Sequence, residues 1–63
     1  MDNYKIDDFG HAKFHYEKNG FAGYIDCYGT IRDTDRWYVL FIDNDGFEYL
    51  IRKDKFEFEI KPK

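Results

Sequence analysis

Serine and glutamine are absent from this 63-residue chain, and cysteine, proline, tryptophan and methionine occur once each. Without serine there is no serine nucleophile, and the single thiol, Cys27, can close no intrachain disulfide. A lone cysteine fits a reducing compartment, because secreted domains of this size carry even sets of bridging cysteines. No apolar run approaches the roughly 18–20 residues of a membrane span. Residues 1–5 lack both the basic segment and the apolar segment of a signal peptide. The expected location is therefore cytoplasmic, away from membranes. The only proline, Pro62, stands at the far end, and no repeat or Gly/Pro-rich linker divides the chain. One small domain spanning 1–63 is expected.

What the chain does have is rings. Aromatic residues make up 22% of it, from seven Phe, six Tyr and one Trp, against 37% charged residues and a net charge of −3. Each large ring buries about 150–250 Å², so rings give a short chain a core it could not otherwise build.

Turn chemistry sets the frame. Asn19-Gly20 and Asn44-Asp45-Gly46 are hairpin signals, each flanked by aromatic and β-branched residues. A two-residue loop at Asn19-Gly20 pairs Lys18 with Phe21, Phe14 with Ile25 and His11 with Tyr28. Because side chains alternate along a strand, Ala12, Phe14, Tyr16, Gly23, Ile25 and Cys27 then share one apolar face. The other face collects His11, Lys13, His15, Glu17, Ala22, Tyr24, Asp26 and Tyr28, with Lys13 opposite Asp26.

The second hairpin admits two registers. A three-residue loop with Gly46 in the left-handed region pairs Phe41 with Tyr49, Leu40 with Leu50 and Val39 with Ile51. A two-residue loop at Asn44-Asp45 pairs Ile42 with Phe47, Leu40 with Tyr49 and Tyr38 with Ile51. The unbroken apolar run 37–42 predicts a central strand covered on both faces. Asp33-Thr34-Asp35 predicts the turn between the hairpins, and Gly29 a bulge or bend just before it. Lys53-Asp54-Lys55 reads as a further turn, and 56–60 alternates as a half-buried final strand. Residues 1–9 fit an N-terminal arm or a short extra element. The expected fold is all-β: a five-stranded antiparallel barrel or bent sheet, SH3-like in general shape, made of two hairpins and a C-terminal strand.

Chemistry finds little support in this pattern. His11 and His15 lie about 13 Å apart on a strand, and Cys27 falls on the opposite face, whereas zinc ligands converge within little more than 2 Å of one centre. The same separation takes either histidine away from Cys27 as a general base. If Gly46 is placed at the glycine of a calcium loop, Phe41 and Arg52 stand where acidic ligands belong. No metal, cofactor or enzymatic activity is expected.

Two surfaces are candidates for binding. His11, Lys13, His15, Tyr24 and Tyr28 form an aromatic face suited to a protein hot spot or to base stacking. Asp33, Asp35, Asp43, Asp45 and Glu48 form an acidic block able to imitate nucleic acid before a basic groove. Nucleic acid itself is disfavoured by charge, since these five carboxylates face only Arg36 within 33–50 and no concentrated basic field exists. The expected function is a non-enzymatic protein-binding module, an adaptor or a stoichiometric inhibitor of a larger protein. An SH3-like nucleic-acid-binding domain that stacks bases on Tyr24 and Tyr28 is the alternative, and a homodimeric structural protein the second.

Overall fold

A computed structural model describes residues 4–62. Its five strands are β1 (Phe9–Lys18), β2 (Phe21–Thr34), β3 (Tyr38–Asp43), β4 (Glu48–Arg52) and β5 (Phe56–Ile60), with a 3₁₀ turn at Lys53–Lys55 before the last. All pairings are antiparallel, in the order β4-β3-β2-β1-β5.

The first hairpin has the register that Asn19-Gly20 dictates, from Lys18 opposite Phe21 out to Phe9 opposite Thr30. Asn19 and Gly20 both take positive φ, 52° and 85°, as a tight turn matched to strand twist requires. The second hairpin takes the three-residue loop, with Gly46 at φ 92° and Phe41, Leu40 and Val39 opposite Tyr49, Leu50 and Ile51. Asp43 organises that turn. Its carboxylate accepts from the Asp45 and Phe47 amides at 2.9 and 3.0 Å and from the Tyr49 hydroxyl at 3.3 Å.

The sheet does not close: among the described residues no ladder joins β4 to β5, which remain its two edges. The barrel alternative is thus set aside in favour of the bent sheet. The bend is strong. Three inter-strand spacings separate β3 from β5, about 14 Å across a flat sheet, yet the rings of Phe41 and Phe56 lie 5.7 Å apart. The concave face holds the buried core of Ala12, Phe14, Ile31, Val39, Phe41, Ile51 and Phe56, edged by Tyr16, Ile25, Cys27, Tyr49 and Phe58.

Two glycines make the bend possible. Gly10 and Gly29 face each other across β1 and β2, in the row that continues to Ile60 on one side and Asp43 on the other. A Cβ on Gly29 would lie 2.2 Å from the Ile42 carbonyl oxygen and 2.6 Å from the Phe41 ring; one on Gly10 would lie 2.2 Å from the Glu59 carbonyl oxygen and 2.7 Å from the Phe58 ring. The outer strands fold inward over these two bare backbones, and each glycine is covered by a phenylalanine.

Gly29 is therefore a point of close approach where the sheet bends, and of the bulge or bend expected there the bulge falls instead at Arg32, between Ile31 and Asp33. The expected turn also shifts. β2 runs through Thr34, and the corner is Asp35, Arg36 and Trp37. The Asp35 carboxylate accepts from the Trp37 and Tyr38 amides, both at 2.8 Å, and these bonds hold it below the usual carboxylate range. Trp37 thus leaves the strand and is 65% exposed, while Tyr38 is 42% exposed on the convex face. The run 37–42 is therefore covered on one face only, and β2 is the central strand.

Of the N-terminal arm, residues 1–3 lie outside the described residues. Lys5 to Asp8 form a turn tied to β2 by Asp7 N–H to Ile31 O (2.8 Å) and Ile31 N–H to Asp8 O (2.9 Å). Tyr4 meets Phe56 and Phe58 edge-on, with both centroids at 5.6 Å. The arm covers part of the concave face rather than adding a strand.

Candidate functional site

The first hairpin delivers the aromatic face to the convex side of the sheet. His11 stacks with Tyr28 at 4.8 Å, Phe9 stacks with the same tyrosine at 6.2 Å, and His15 meets Tyr24 at 5.1 Å. Register accounts for the histidine contacts, since His11 faces Tyr28 and His15 faces Tyr24 directly, and Phe9, opposite Thr30, reaches Tyr28 diagonally. The His11 Nε2 also contacts an Asp26 carboxylate oxygen. Lys13 stands between Asp26 on β2 and Glu57 on β5, so charges alternate along that row. Tyr24 and Tyr28 remain about half exposed, at 53% and 47%. The five residues of this face are together on one surface, with Asp26, Glu57 and Glu59 interleaved.

The acidic residues are divided. Asp35 holds the corner before β3 and Asp33 lies on β2 opposite Leu40, whereas Asp43 ends β3, Asp45 sits in the turn beyond it and Glu48 opens β4 opposite Ile42. Asp33 is three residue steps along β3 from Asp43, about 10 Å, and Asp35 lies farther off at the opposite end of the strand. Three of the carboxylates are engaged in local turns: Asp33 accepts from the Thr34 amide at 2.8 Å, while Asp35 and Asp43 hold the corners described above.

Cys27 points to the concave side, half-buried and opposite Ala12, away from both histidines. Burial and the nearby carboxylates of Asp43, Asp26 and Asp45 push its thiol pKa up. Tyr49 is pushed up similarly, by burial first and then by Asp43, whose carboxylate accepts a hydrogen bond from its hydroxyl. Because the thiolate is the reactive form, alkylation of native Cys27 near neutral pH is expected to run at least about tenfold slower than in the denatured chain. Equal rates with and without denaturant would place the side chain outside the fold. Among the described residues no three His, Cys, Asp or Glu side chains are grouped to hold a metal ion. No helix among them is long and apolar enough to cross a membrane.

The sequence pattern missed Trp37, which sits at the β2–β3 corner with the Arg36 guanidinium 5.4 Å from its ring centroid. The available signal was Asp35 itself, an aspartate placed to cap the two amides after Arg36. Comparison with protein-family models, curated proteins and solved structures gives no match for this chain.

Proposed function

We propose that this chain is a cytoplasmic, non-enzymatic protein-binding module, an adaptor or stoichiometric inhibitor, that engages its partner through the convex aromatic face of β1 and β2. The observation that carries this is the stacked row Phe9–Tyr28–His11 with His15–Tyr24 beside it, held on a paired two-strand frame. Tyrosine and its ring neighbours supply large contact area at small entropic cost, the property that concentrates binding energy at interfaces. The strand order, strong curl and 3₁₀ turn before the last strand support an SH3-like general shape, in which a small curved sheet presents such a face.

Two features weigh against the other binding modes. Asp26 lies between the two tyrosines on β2, and Glu57 and Glu59 flank Lys13 and His11 from β5, so carboxylates interleave this face and oppose a phosphate backbone. The acidic residues fall on both faces, with Asp33 and Glu48 convex and Asp43 concave opposite Gly29, and Asp33, Asp35 and Asp43 are committed to local hydrogen bonds, which weakens a surface for imitating nucleic acid.

The test uses immobilised domain and nuclease-treated extract of the source cell. A protein retained by the unaltered chain should be lost, by at least about tenfold in affinity, from the variant Tyr24→Ala/Tyr28→Ala. Retention that survives this double substitution overturns the assignment of the face. Retention that depends on untreated nucleic acid supports the base-stacking alternative.

A further inference from the structure

We propose that the chain pairs with a second copy of itself along the free edge of β4, antiparallel about a two-fold axis at Leu50. The phase of the β3–β4 ladder is set by two bonds, Asp43 N–H to Phe47 O and Lys53 N–H to Trp37 O. Bonded and non-bonded pairs alternate along an antiparallel ladder. The backbone groups of Tyr49 and Ile51 therefore point to β3, and those of Glu48, Leu50 and Arg52 point outward from the sheet edge. Exposed edges of this kind are templates for a further strand.

The side chains select the occupant. With Leu50 on the axis, Leu50 meets its own copy, Glu48 meets Arg52 of the copy, and Arg52 meets Glu48 of the copy. All three are exposed on the convex face, Leu50 at 61%. Leu40 is the ladder neighbour of Leu50, so four leucines would run in one row across the seam, with an opposite-charge pair on each side. On the concave face Tyr49 would meet Ile51 of the copy. Arg52 already bonds Asp54 at 3.0 Å, and its guanidinium has donors enough for a second carboxylate.

The other edge refuses the same arrangement centred on the middle of β5. The Lys61 N–H to Phe9 O bond sets the phase of β5, and its outward backbone groups belong to Phe56, Phe58 and Ile60. Whichever of Glu57, Phe58 or Glu59 lies on a two-fold axis, glutamate is set opposite glutamate. A mixed antiparallel β4–β5 ladder fails differently, because the outward-bonding residues of β4 carry convex side chains and Phe56 and Phe58 carry concave, core-facing ones. Of these arrangements, only the β4 self-pairing joins like faces with unlike charges.

The interface is small, so association is expected in the range of about 10–500 μM. Sedimentation equilibrium on the full chain from roughly 5 μM to 1 mM should show mass rising from 7.7 kDa toward twice that value. Leu50→Lys and Glu48→Arg should each remain monomeric across the range, with unchanged amide spectra showing that the fold is intact. The swap Glu48→Arg/Arg52→Glu should restore the dimer, since it exchanges the two charges on both sides of the axis. Tyr24→Ala/Tyr28→Ala should leave association unaltered, which separates this pairing from the aromatic face. A chain that stays monomeric at 1 mM overturns the proposal, and so does a dimer indifferent to Leu50→Lys, Glu48→Arg and the swap.

Discussion

Gly29→Ala is expected to destabilise the fold by at least about 3 kcal/mol, at or beyond the upper end of ordinary overpacking. The added methyl would sit 2.2 Å from the Ile42 carbonyl oxygen and 2.8 Å from the Asp43 Cα, so its neighbours are backbone that no rotamer change can move. Relief requires β3 to withdraw from β2, which breaks the Gly29–Asp43 and Thr30–Ile42 pairings and lifts Phe41 from its place over the glycine. Gly46→Ala provides the contrast. Nothing lies within 4 Å of that position, and the cost there is only the positive φ of 92°, about 1 kcal/mol. Urea denaturation followed by tryptophan fluorescence and circular dichroism would rank the two variants. Comparable midpoints for both would show that β3 does not approach β2 as closely as the bend requires.

That contrast also marks where sequence reasoning stops. Gly20 and Gly46 were legible because a turn glycine is announced by the Asn or Asp beside it and by the alternation on either side. The register of the first hairpin followed from the same local information, and with it the shared face of His11, His15, Tyr24 and Tyr28. Gly29 was not legible, since what surrounds it belongs to β3 and depends on how far the sheet curls. The sequence offers a glycine in a strand; only the three-dimensional row Ile60–Gly10–Gly29–Asp43 says that two of them are stacked to let the edges fold inward. The open seam between β4 and β5 was hidden for a related reason. Whether a five-stranded sheet closes depends on its accumulated curl and on the reach of Lys53–Lys55, neither of which has a local pattern. Trp37 was misplaced because hydrophobicity alone assigned it to β3, when the capping geometry of Asp35 had already turned it outward.

Phe41→Ala is expected to leave the chain unfolded in water at 25 °C. Phe41 is fully buried and joins the two ends of the sheet: its ring lies 6.1 Å from Phe14 on β1, 5.7 and 6.2 Å from Phe56 and Phe58 on β5, and covers Gly29 on β2. Removing such a ring costs about 3–5 kcal/mol in transfer and cavity terms, while a domain of this size has only about 3–5 kcal/mol of total stability. The loss is unusually hard to recover here, because no side chain from Gly10 or Gly29 can move into the void and the curl that brings β3 over β5 is itself held by the missing contacts. Phe41→Leu keeps most of the volume and should remain folded at a cost of roughly 1–1.5 kcal/mol. It should not rescue Gly29→Ala, because the Ile42 carbonyl still blocks the methyl after the ring is gone. A dispersed amide spectrum for Phe41→Ala would mean that the core is centred elsewhere, and full recovery of Gly29→Ala by Phe41→Leu would mean that the ring, rather than the backbone of β3, sets the limit of approach.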